Sequence, residues 1–345
     1  MAIAAPLASD RSPASKPATT RVAIAGATGF AGQELVRILA RHPAVTLTTA
    51  MSSAATSAPR PMPALARIWD GEVVPLDVDR LVATADVVFL ALPEAASAEL
   101  APLLVDRGVR VVDLSGAFRI RNEADRQRWY PATRALPAGT VYGLSERYRD
   151  AITSARLVSN PGCYPTAALL AIEPLSAAGL LDGSIVIDAK SGISGAGKTP
   201  SERTHFSENH GSVAAYGVFS HRHTAEIEQE LGAPVTFVPH LVPLDRGILE
   251  TIYAGLRPGT TAQHVSETMH AAYAGAPFVR LTNAELPEIK HVAHTNFCDI
   301  GWKVDDTRGR IVLVAVLDNL VKGAAGSAVQ NLNILLGIDE RTGLL

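Results

Sequence analysis

Residues 21–43 read RVAIAGATGFAGQELVRILARHP, and this stretch decides the fold. It begins with a short apolar run typical of a β-strand, continues through a glycine-rich turn and ends as an amphipathic helix that stops at Pro43. Gly26 permits a tight turn, Gly29 lets the backbone approach a pyrophosphate, and Gly32 lets the helix pack closely with its N-terminus facing the anion. The stretch therefore predicts a dinucleotide site.

More strand and helix patterns alternate through the first half of the chain. AVTLTTA, DVVFLAL and VRVVDLS have the composition of buried strands, and EAASAELAPLLVDRG, between the last two, has that of a helix. Such alternation predicts a parallel, doubly wound sheet of the Rossmann type, so the expected fold class is α/β.

The end of the second strand indicates which dinucleotide binds. NAD-binding proteins usually place an acidic residue there to hold the ribose hydroxyls, whereas this chain reads MSSAATSAPR. Ser52 and Ser53 offer hydroxyl groups, Arg60 adds a cation, and this segment has no carboxylate to repel a ribose phosphate. NADP(H) is therefore the predicted cofactor. The contacts expected for it in this half of the chain are Gly26, Thr28, Gly29, Phe30, Ala31, Gly32, Ser52, Ser53 and Pro93.

Length and composition narrow the remaining choices. A chain of 345 residues suggests about two domains. A net charge of −3 gives no reason to expect a nucleic-acid partner, and no apolar run reaches the roughly 18 residues that a membrane helix needs. Two cysteines cannot build a disulfide framework, so a reducing cytoplasm is expected. Residues 1–20 are expected to form a disordered tail, with an organelle transit peptide as the alternative.

The segment SNPGCYPTA at residues 159–167 carries the clearest chemical signal. A strand is predicted to run into it and a helix to leave it as far as about Gly179, which places Cys163 at the helix N-terminus. Free N–H groups and the helix dipole favour a thiolate there, so a lowered pKa and a nucleophilic role are predicted. The same N–H groups are candidates to hold an oxyanion. Cys298 lies in the strand pattern TNFCDIGWKV and is predicted to be structural.

Three motifs, GATGFAG, SNPGCYPTA and HRHTAEIEQEL, resemble those of the N-acetyl-gamma-glutamyl-phosphate reductase family of arginine biosynthesis. The segments DLSGAFR, VYGLSE, SGISGAGK, PHLVPLDRGI and DNLVKGAAGSAVQ are similar to the same family in order and spacing, so the resemblance covers nearly the whole chain after residue 20. It implies a fold like that of glyceraldehyde-3-phosphate dehydrogenase, with a Rossmann-type domain and an α+β catalytic domain built on a mixed sheet.

The resemblance also implies how the two domains divide the chain. The C-terminal helix, at about residues 322–336, would return to the dinucleotide domain. Residues 21–160 and 321–345 would form the NADP-binding domain, and residues 161–320 the catalytic and oligomerisation domain of a homodimer or homotetramer. Strand patterns at SIVIDAKSGI, VTFVPHLVPL, GILETIYAGL, FVRLT and RIVLVAVLDN, with helices after His223 and over residues 262–273, predict the mixed sheet of the second domain.

Residue roles follow from the same resemblance. It implies a thioester on Cys163 and His221 as the acid–base catalyst, with His223 as the alternative base. Ser194 and Gly195 would line the nicotinamide side, and Asn319 would contact the cofactor. Because a guanidinium matches phosphate geometry, Arg119 is the preferred partner of the acyl phosphate and Arg203 a weaker one. The full set expected to contact substrate is Arg119, Asn160, His223 and Glu226.

The predicted reaction is the NADPH-dependent reduction of N-acetyl-L-glutamyl 5-phosphate to the 5-semialdehyde and phosphate. Aspartate-semialdehyde dehydrogenase and a reductase of carrier-linked aminoadipyl phosphate share this chemistry and stay open as alternatives. A non-enzymatic NADP sensor is a third, because sites on Rossmann folds are interchangeable. No metal site is predicted, since the ten histidines and two cysteines show neither CxxC nor HExxH spacing.

Overall fold

The computed structural model describes residues 19–53 and 58–345. The tail expected over residues 1–20 lies outside this range except for Thr19 and Thr20, and Thr20 already begins the first strand. Residues 54–57 of the segment MSSAATSAPR also lie outside it.

The first sheet is built from the first half of the chain. Its strands are β1 (Thr20–Ala25), β2 (Val45–Met51), β3 (Arg60–Pro61), β4 (Glu72–Val74), β5 (Val87–Leu90), β6 (Arg110–Asp113), β7 (Thr140–Tyr142) and β8 (Leu157–Ser159). They lie in the order β3-β4-β2-β1-β5-β6-β8-β7, with β3 antiparallel to β4 and the other pairs parallel. Strand β1 lies between β2 and β5, so the strand order changes direction at β1. The crevice at the carboxyl ends of β1 and β5 is therefore the expected ligand site.

Ten α-helices accompany the strands in the described part of the chain. They are α1 (Phe30–Leu39), α2 (Val78–Thr84), α3 (Glu94–Asp106), α4 (Glu123–Trp129), α5 (Ser145–Thr153), α6 (Cys163–Ala177), α7 (Phe206–Asn209), α8 (His223–Leu231), α9 (Ala262–Tyr273) and α10 (Gly326–Leu335). Short 3-10 turns occupy Pro63–Leu65, Ile193–Ala196, Glu202–Thr204 and Ile289–His291, and a π-helical turn occupies Val321–Ala325.

The second sheet is mixed, as the resemblance implies. Its strands are β9 (Leu181–Gly192), β10 (Ala214–Ala215), β11 (Val235–Val242), β12 (Ile248–Leu256), β13 (Val279–Asn283), β14 (Cys298–Asp305) and β15 (Arg310–Leu317), in the order β10-β11-β9-β12-β15-β14-β13. Alternate residues of β11 and β12 are buried, because one face of the sheet packs against helices. Helix α6 contacts β12 and β15, α8 contacts β11, and α9 contacts β13 and β14.

The C-terminal helix begins later than predicted. The expected helix from about residue 322 is first a π-helical turn at Val321–Ala325 and becomes α-helical at Gly326. Helix α10 then packs into the core of the first sheet, where Ala328, Val329 and Leu332 share a cluster with Val22 of β1 and Leu35 of α1. The last helix therefore lies among elements formed by the first half of the chain.

Candidate active site

The turn after β1 can be formed only with glycine at two of its positions. Gly26 has a φ of +91°, and a Cβ there would lie 2.2 Å from the carbonyl oxygen of Ala91. A Cβ at Gly32 would lie 2.2 Å from the carbonyl oxygen of Gly26. At Gly29, which caps α1, the nearest atom to such a Cβ is 3.7 Å away, so the backbone there is open to a ligand. The tight turn at Gly26 and the close packing at Gly32 are as predicted, and Gly29 is the position at which the sequence predicts approach to a pyrophosphate.

A cavity of about 720 Å³ extends from this turn towards the end of β2. Thr28, Ser53 and Arg60 line it, and none of its described lining residues carries a carboxylate. Ser52 does not line it; that residue is buried, and its backbone N–H donates to the carbonyl oxygen of Val74. The hydroxyl and guanidinium groups of Ser53 and Arg60 therefore suit an anionic ribose phosphate better than free ribose hydroxyls.

A second cavity, of about 600 Å³, joins the glycine turn to Cys163. Its walls include residues 29–32 at the start of α1, Pro93 before α3, and Ser194 and Gly195 from the 3-10 turn after β9. Asn319 also lines it and donates to the hydroxyl oxygen of Ser194 at 3.0 Å. Eight of the predicted cofactor residues therefore share this cavity with the predicted nucleophile: Gly29, Phe30, Ala31, Gly32, Pro93, Ser194, Gly195 and Asn319.

Cys163 begins helix α6, with Gly162 as its N-cap, as predicted. The predicted fall of its pKa is wrong, because burial raises the pKa of the Cys163 thiol to about 11. The Arg119 guanidinium and a hydrogen bond from the Tyr164 backbone N–H lower that pKa, but they do not outweigh burial, and the carboxyls of Glu250 and Glu226 add to the rise. The thiol is therefore mainly protonated near neutral pH.

The second cysteine, Cys298, lies in surroundings that differ from those of Cys163. It lies fully buried at the start of β14, inside the core cluster of the second sheet. Burial also raises the pKa of this thiol. It is away from the helix start that carries Cys163 and does not line the cavity there.

The two histidines of the HRH motif occupy different positions. His223 lines the cavity with Cys163, and its buried Nδ1 has no hydrogen-bond partner among the described residues. His221 is not part of the cavity wall; its ring packs edge-on against Tyr164 and Phe237, with centroid distances of 5.9 and 5.4 Å. The Nδ1 of His221 accepts a hydrogen bond from the His223 backbone N–H at 3.1 Å.

Both imidazoles are neutral near pH 7. Burial lowers the pKa of His221 to about 4, with a smaller contribution from the positive charge of Arg222. Burial also lowers the pKa of His223 well below its usual value, and His221 and Arg119 lower it further. Since the Nδ1 of His221 is an acceptor, the proton of its neutral form lies on Nε2.

Glu226 organises the Cys163 turn without lining the cavity. Its fully buried Oε1 accepts hydrogen bonds from the Gly162 N–H at 2.8 Å and from the Tyr142 hydroxyl at 2.7 Å. Its Oε2 is 3.4 Å from the Arg119 guanidinium. The expectation that Glu226 contacts substrate is therefore corrected, because its carboxylate is fully buried and bonded to the chain itself. The Gly162 N–H is likewise committed to Glu226, so it is not a free donor for an oxyanion.

Arg119 does line the cavity, although only 6% of its surface is exposed. Its Nε donates to the Asn160 carbonyl oxygen at 2.8 Å and one terminal nitrogen donates to that of Leu114 at 2.7 Å. Most of its donors therefore hold the backbone around Cys163. The weaker candidate, Arg203, lies over the ring of Tyr216 and lines a different pocket.

Asn160 has a structural position rather than the predicted contact with substrate. The residue is fully buried, and its Nδ2 donates to the Ser327 hydroxyl at 3.0 Å. Its Oδ1 accepts from the Asn331 amide at 3.0 Å. Because these bonds satisfy the side chain away from the cavity, Asn160 ties the Cys163 turn to helix α10.

Several cavity residues were missed from the sequence, among them Glu94, Lys198, Arg222 and Gly323. The Nζ of Lys198 donates to the Thr28 carbonyl oxygen at 3.0 Å, so the loop after β9 reaches the glycine turn. A Cβ at Gly323 would lie 2.8 Å from that of Cys163, so the π-helical turn packs directly on the nucleophile. In the sequence, Lys198, Arg222 and Gly323 are the last residue of SGISGAGK, the middle residue of HRH and the first glycine in DNLVKGAAG. Glu94 is the first residue of the helix pattern EAASAELAPLLVDRG.

Residues 19–53 and 58–345 contain neither a metal-binding cluster nor a membrane-spanning helix. Within those ranges no three His, Cys, Asp or Glu side chains are grouped to hold a metal ion. No helix there is long and apolar enough to cross a membrane.

Comparison with known families matches both halves of the chain. Residues 21–155 match the family described as "Semialdehyde dehydrogenase, NAD binding domain". Residues 163–319 match "Semialdehyde dehydrogenase, dimerisation domain". The first match spans the glycine turn, and the second begins at Cys163.

Curated relatives share almost half of the sequence over nearly the whole length. N-acetyl-gamma-glutamyl-phosphate reductase of Shouchella clausii is 45% identical, covering 94% of this chain and 97% of the relative. The protein of the same name from Syntrophobacter fumaroxidans is 46% identical with the same coverage. That from Desulforudis audaxviator is 47% identical, covering 94% and 98%.

Solved structures of similar fold are more distant in sequence. Aspartate semialdehyde dehydrogenase II from Vibrio cholerae superposes with a TM-score of 0.72 at 20% identity, over 93% of this chain and 99% of that one. The aspartate semialdehyde dehydrogenase of Candida albicans with NADP gives a TM-score of 0.70 at 15% identity, over 92% and 99%. At such identities the likeness concerns the fold alone.

Proposed function

Because this chain belongs to the N-acetyl-gamma-glutamyl-phosphate reductase family, we propose that it reduces N-acetyl-L-glutamyl 5-phosphate to N-acetyl-L-glutamate 5-semialdehyde and phosphate with NADPH. The observation that carries the proposal is the single cavity between the glycine turn and Cys163. A nucleophile and a dinucleotide turn that share one space suit a reaction in which an enzyme-bound acyl group is reduced.

The residues around the glycine turn fit NADP(H). Gly26 and Gly32 give the turn its shape, Gly29 and the start of α1 would face the pyrophosphate, and Ser53 and Arg60 would hold the ribose phosphate. Ser194, Gly195 and Asn319 would line the nicotinamide. When bound, NADPH supplies the hydride that reduces the acyl group.

Cys163 acts as the nucleophile in this proposal. Its thiolate attacks the acyl carbon, a C–S bond forms, and the bond from that carbon to the phosphate oxygen breaks, so that phosphate leaves with the electron pair. A thioester remains on Cys163. After reduction, the C–S bond of the thiohemiacetal breaks, the aldehyde is released and the sulfur returns as a thiolate.

A backbone N–H group at the start of α6 would hold the oxyanion that forms on the acyl oxygen. The Gly162 N–H is bonded to Glu226, the Tyr164 N–H to the Cys163 sulfur and the Thr166 N–H to the Gly162 carbonyl oxygen. Because Pro165 has no N–H, this role is assigned to the N–H of Cys163 itself. Arg119, buried against the same turn, contributes positive charge beside the acyl phosphate.

Proton transfer to and from Cys163 is assigned to His221, as the resemblance implies. His223, which lines the cavity, is the alternative. A thiol of pKa about 11 does not readily give its proton to an imidazole of pKa about 4. A phosphate dianion placed nearby raises the pKa of an imidazole, so binding of the acyl phosphate itself promotes the transfer.

The proposed enzyme has two domains, forms a homo-oligomer and is located in the cytoplasm. Residues 21–160 and 321–345 form the cofactor domain, and residues 161–320 form the catalytic domain. The name of the family matched by residues 163–319 supports a homo-oligomer, and we propose a dimer or tetramer. A cytoplasmic location agrees with a biosynthetic reductase whose nucleophile must stay reduced.

The reverse reaction tests the proposal. The purified protein is given N-acetylglutamate 5-semialdehyde, phosphate and NADP, and the absorbance of NADPH is followed, with aspartate semialdehyde in parallel. We expect phosphate-dependent formation of NADPH with the first aldehyde only. Preference for aspartate semialdehyde would overturn the substrate, and no reaction with either would favour the non-enzymatic NADP sensor.

A further inference from the structure

Three cationic side chains line the cavity that contains Cys163: Arg119, Lys198 and Arg222. The proposed substrate has two anionic groups, the acyl phosphate at one end and a free carboxylate at the other. Cys163 must meet the phosphate end, because that end carries the reacting carbon. The carboxylate therefore needs a separate cation within the same cavity.

Two of the three cations are engaged elsewhere. The donors of Arg119 are directed to the carbonyl oxygens of Asn160 and Leu114 and to Glu226. Lys198 lies at the glycine turn, with its Nζ on the Thr28 carbonyl oxygen and 5.4 Å from the centre of the Phe30 ring. That position suits the cofactor end of the cavity.

Arg222 is the cation that remains accessible. It precedes α8, keeps 48% of its side chain exposed and pairs at 3.1 Å with Glu94, which begins α3. Its guanidinium lies 5.6 Å from the centre of the Tyr130 ring, and that ring is fixed because it is buried against Gly116. The aromatic platform holds the guanidinium in place while leaving donors available.

We propose that Arg222 binds the free carboxylate of the substrate and that Glu94 is the counterion which this carboxylate displaces. The inference rests on the proposed function, since it assumes an acyl phosphate with a second anionic group. Glu94 is the one carboxylate among the described residues lining the cavity, and its pair with Arg222 crosses from the first sheet's elements to those of the second. Exposed ion pairs are weak because water screens them, so a substrate carboxylate can replace Glu94 at small cost.

The test compares two aldehydes in the reverse reaction, with NADP and phosphate. One is N-acetylglutamate 5-semialdehyde, and the other is the same aldehyde with its carboxyl group converted to a primary amide. The unaltered protein should prefer the acid by about 30- to 100-fold in kcat/KM, as expected for a charge-assisted bond to an anion. Arg222→Met should reduce that preference to less than about threefold, and Arg222→Lys should restore part of it.

Matched variants separate this role from a structural one. Arg21→Met removes an equally exposed arginine, which is paired with Asp86 and lies near the N-terminal end of β1, and should leave the preference unchanged. Glu94→Gln should lower the KM for the acid by about two- to fivefold, because a competing carboxylate is removed. The KM for NADP should not change in Arg222→Met, which also reports that the variant is folded.

The measurements distinguish failure of the proposed role of Arg222 from failure of the proposed function. An undiminished preference for the acid in Arg222→Met would overturn the inference while leaving the proposed function intact. A raised KM for NADP with an unchanged preference would assign Arg222 to the cofactor instead. Failure of the unaltered protein to oxidise the acid aldehyde would overturn the proposed function, and the inference with it.

Discussion

The carboxylate of Glu226 accepts a hydrogen bond of 2.8 Å from the backbone N–H of Gly162, the residue before Cys163. Glu226 lies on α8, which begins with the HRH motif, and Gly162 caps α6. This bond, together with the approach of Arg119 at 3.4 Å, fixes the nucleophile relative to both histidines. The relative placement of the catalytic groups therefore depends on a buried carboxylate that does not reach the cavity.

Replacing Glu226 should lower activity or stability, depending on which of its interactions with Gly162 and Arg119 the new side chain lacks. Glu226→Gln keeps an acceptor for the Gly162 N–H but removes the negative charge near Arg119, and we expect kcat/KM to fall by about tenfold. Glu226→Leu leaves Arg119 buried without its partner and should destabilise the fold by about 3–5 kcal/mol. Steady-state kinetics and thermal unfolding measure the two effects. The exposed Glu267→Gln on α9 is the control, and equal behaviour of Glu226→Gln and Glu267→Gln would contradict this role.

Alkylation of Cys163 should depend steeply on pH. Its folded pKa is raised to about 11, so the reactive thiolate is scarce at pH 7 and increases as pH rises. The rate of labelling by iodoacetamide, followed by protein mass, should grow about tenfold per pH unit between pH 7 and 10. A plateau reached by pH 8 would show that the thiolate is already stabilised, contrary to the burial argument.

Substituting the two histidines should separate their roles. His221→Asn is expected to lower kcat by about 10²- to 10⁴-fold, because the proton acceptor is lost. His223→Asn, which alters the cavity wall, should mainly raise the KM for the aldehyde. Initial rates in the reverse direction decide between them, and the opposite order of effects would assign the proton transfer to His223.

Gly323→Ala tests the packing of the π-helical turn on the nucleophile. The added Cβ would lie 2.8 Å from the Cβ of Cys163, so that side chain must move. A displacement of about 1 Å at a reacting group costs about 10²-fold in rate, and we expect kcat to fall by that order. Gly275→Ala, where a Cβ meets no atom within 4 Å, is the matched control. Similar kinetics for the two variants would mean that the turn does not position Cys163.

The sequence predicted the local features well, because short segments determine them. The tight turn at Gly26 and the start of α6 at Cys163 follow from glycine positions and from the strand–turn–helix pattern around them. The strand predicted at VTFVPHLVPL is likewise present as β11.

Features that depend on distant residues were not predictable in this way. The raised pKa of Cys163 reflects its burial and the carboxyls of Glu226 and Glu250, which come from other elements. Asn160 looks like a site residue in sequence, yet its amide is satisfied by Ser327 and Asn331 of α10. No local pattern shows which side chains will be saturated by partners more than a hundred residues away.

The central claim is that the acyl group is carried on Cys163, and it is tested by omitting phosphate from the reverse reaction. The protein is mixed with N-acetylglutamate 5-semialdehyde and NADP, and both NADPH formation and intact protein mass are recorded. We predict a burst of one NADPH per subunit and a gain of one N-acetylglutamyl group, located on Cys163 by peptide mapping and absent in Cys163→Ser. Phosphate-independent steady turnover without a burst or mass gain, or an acyl group on another residue, would contradict the account.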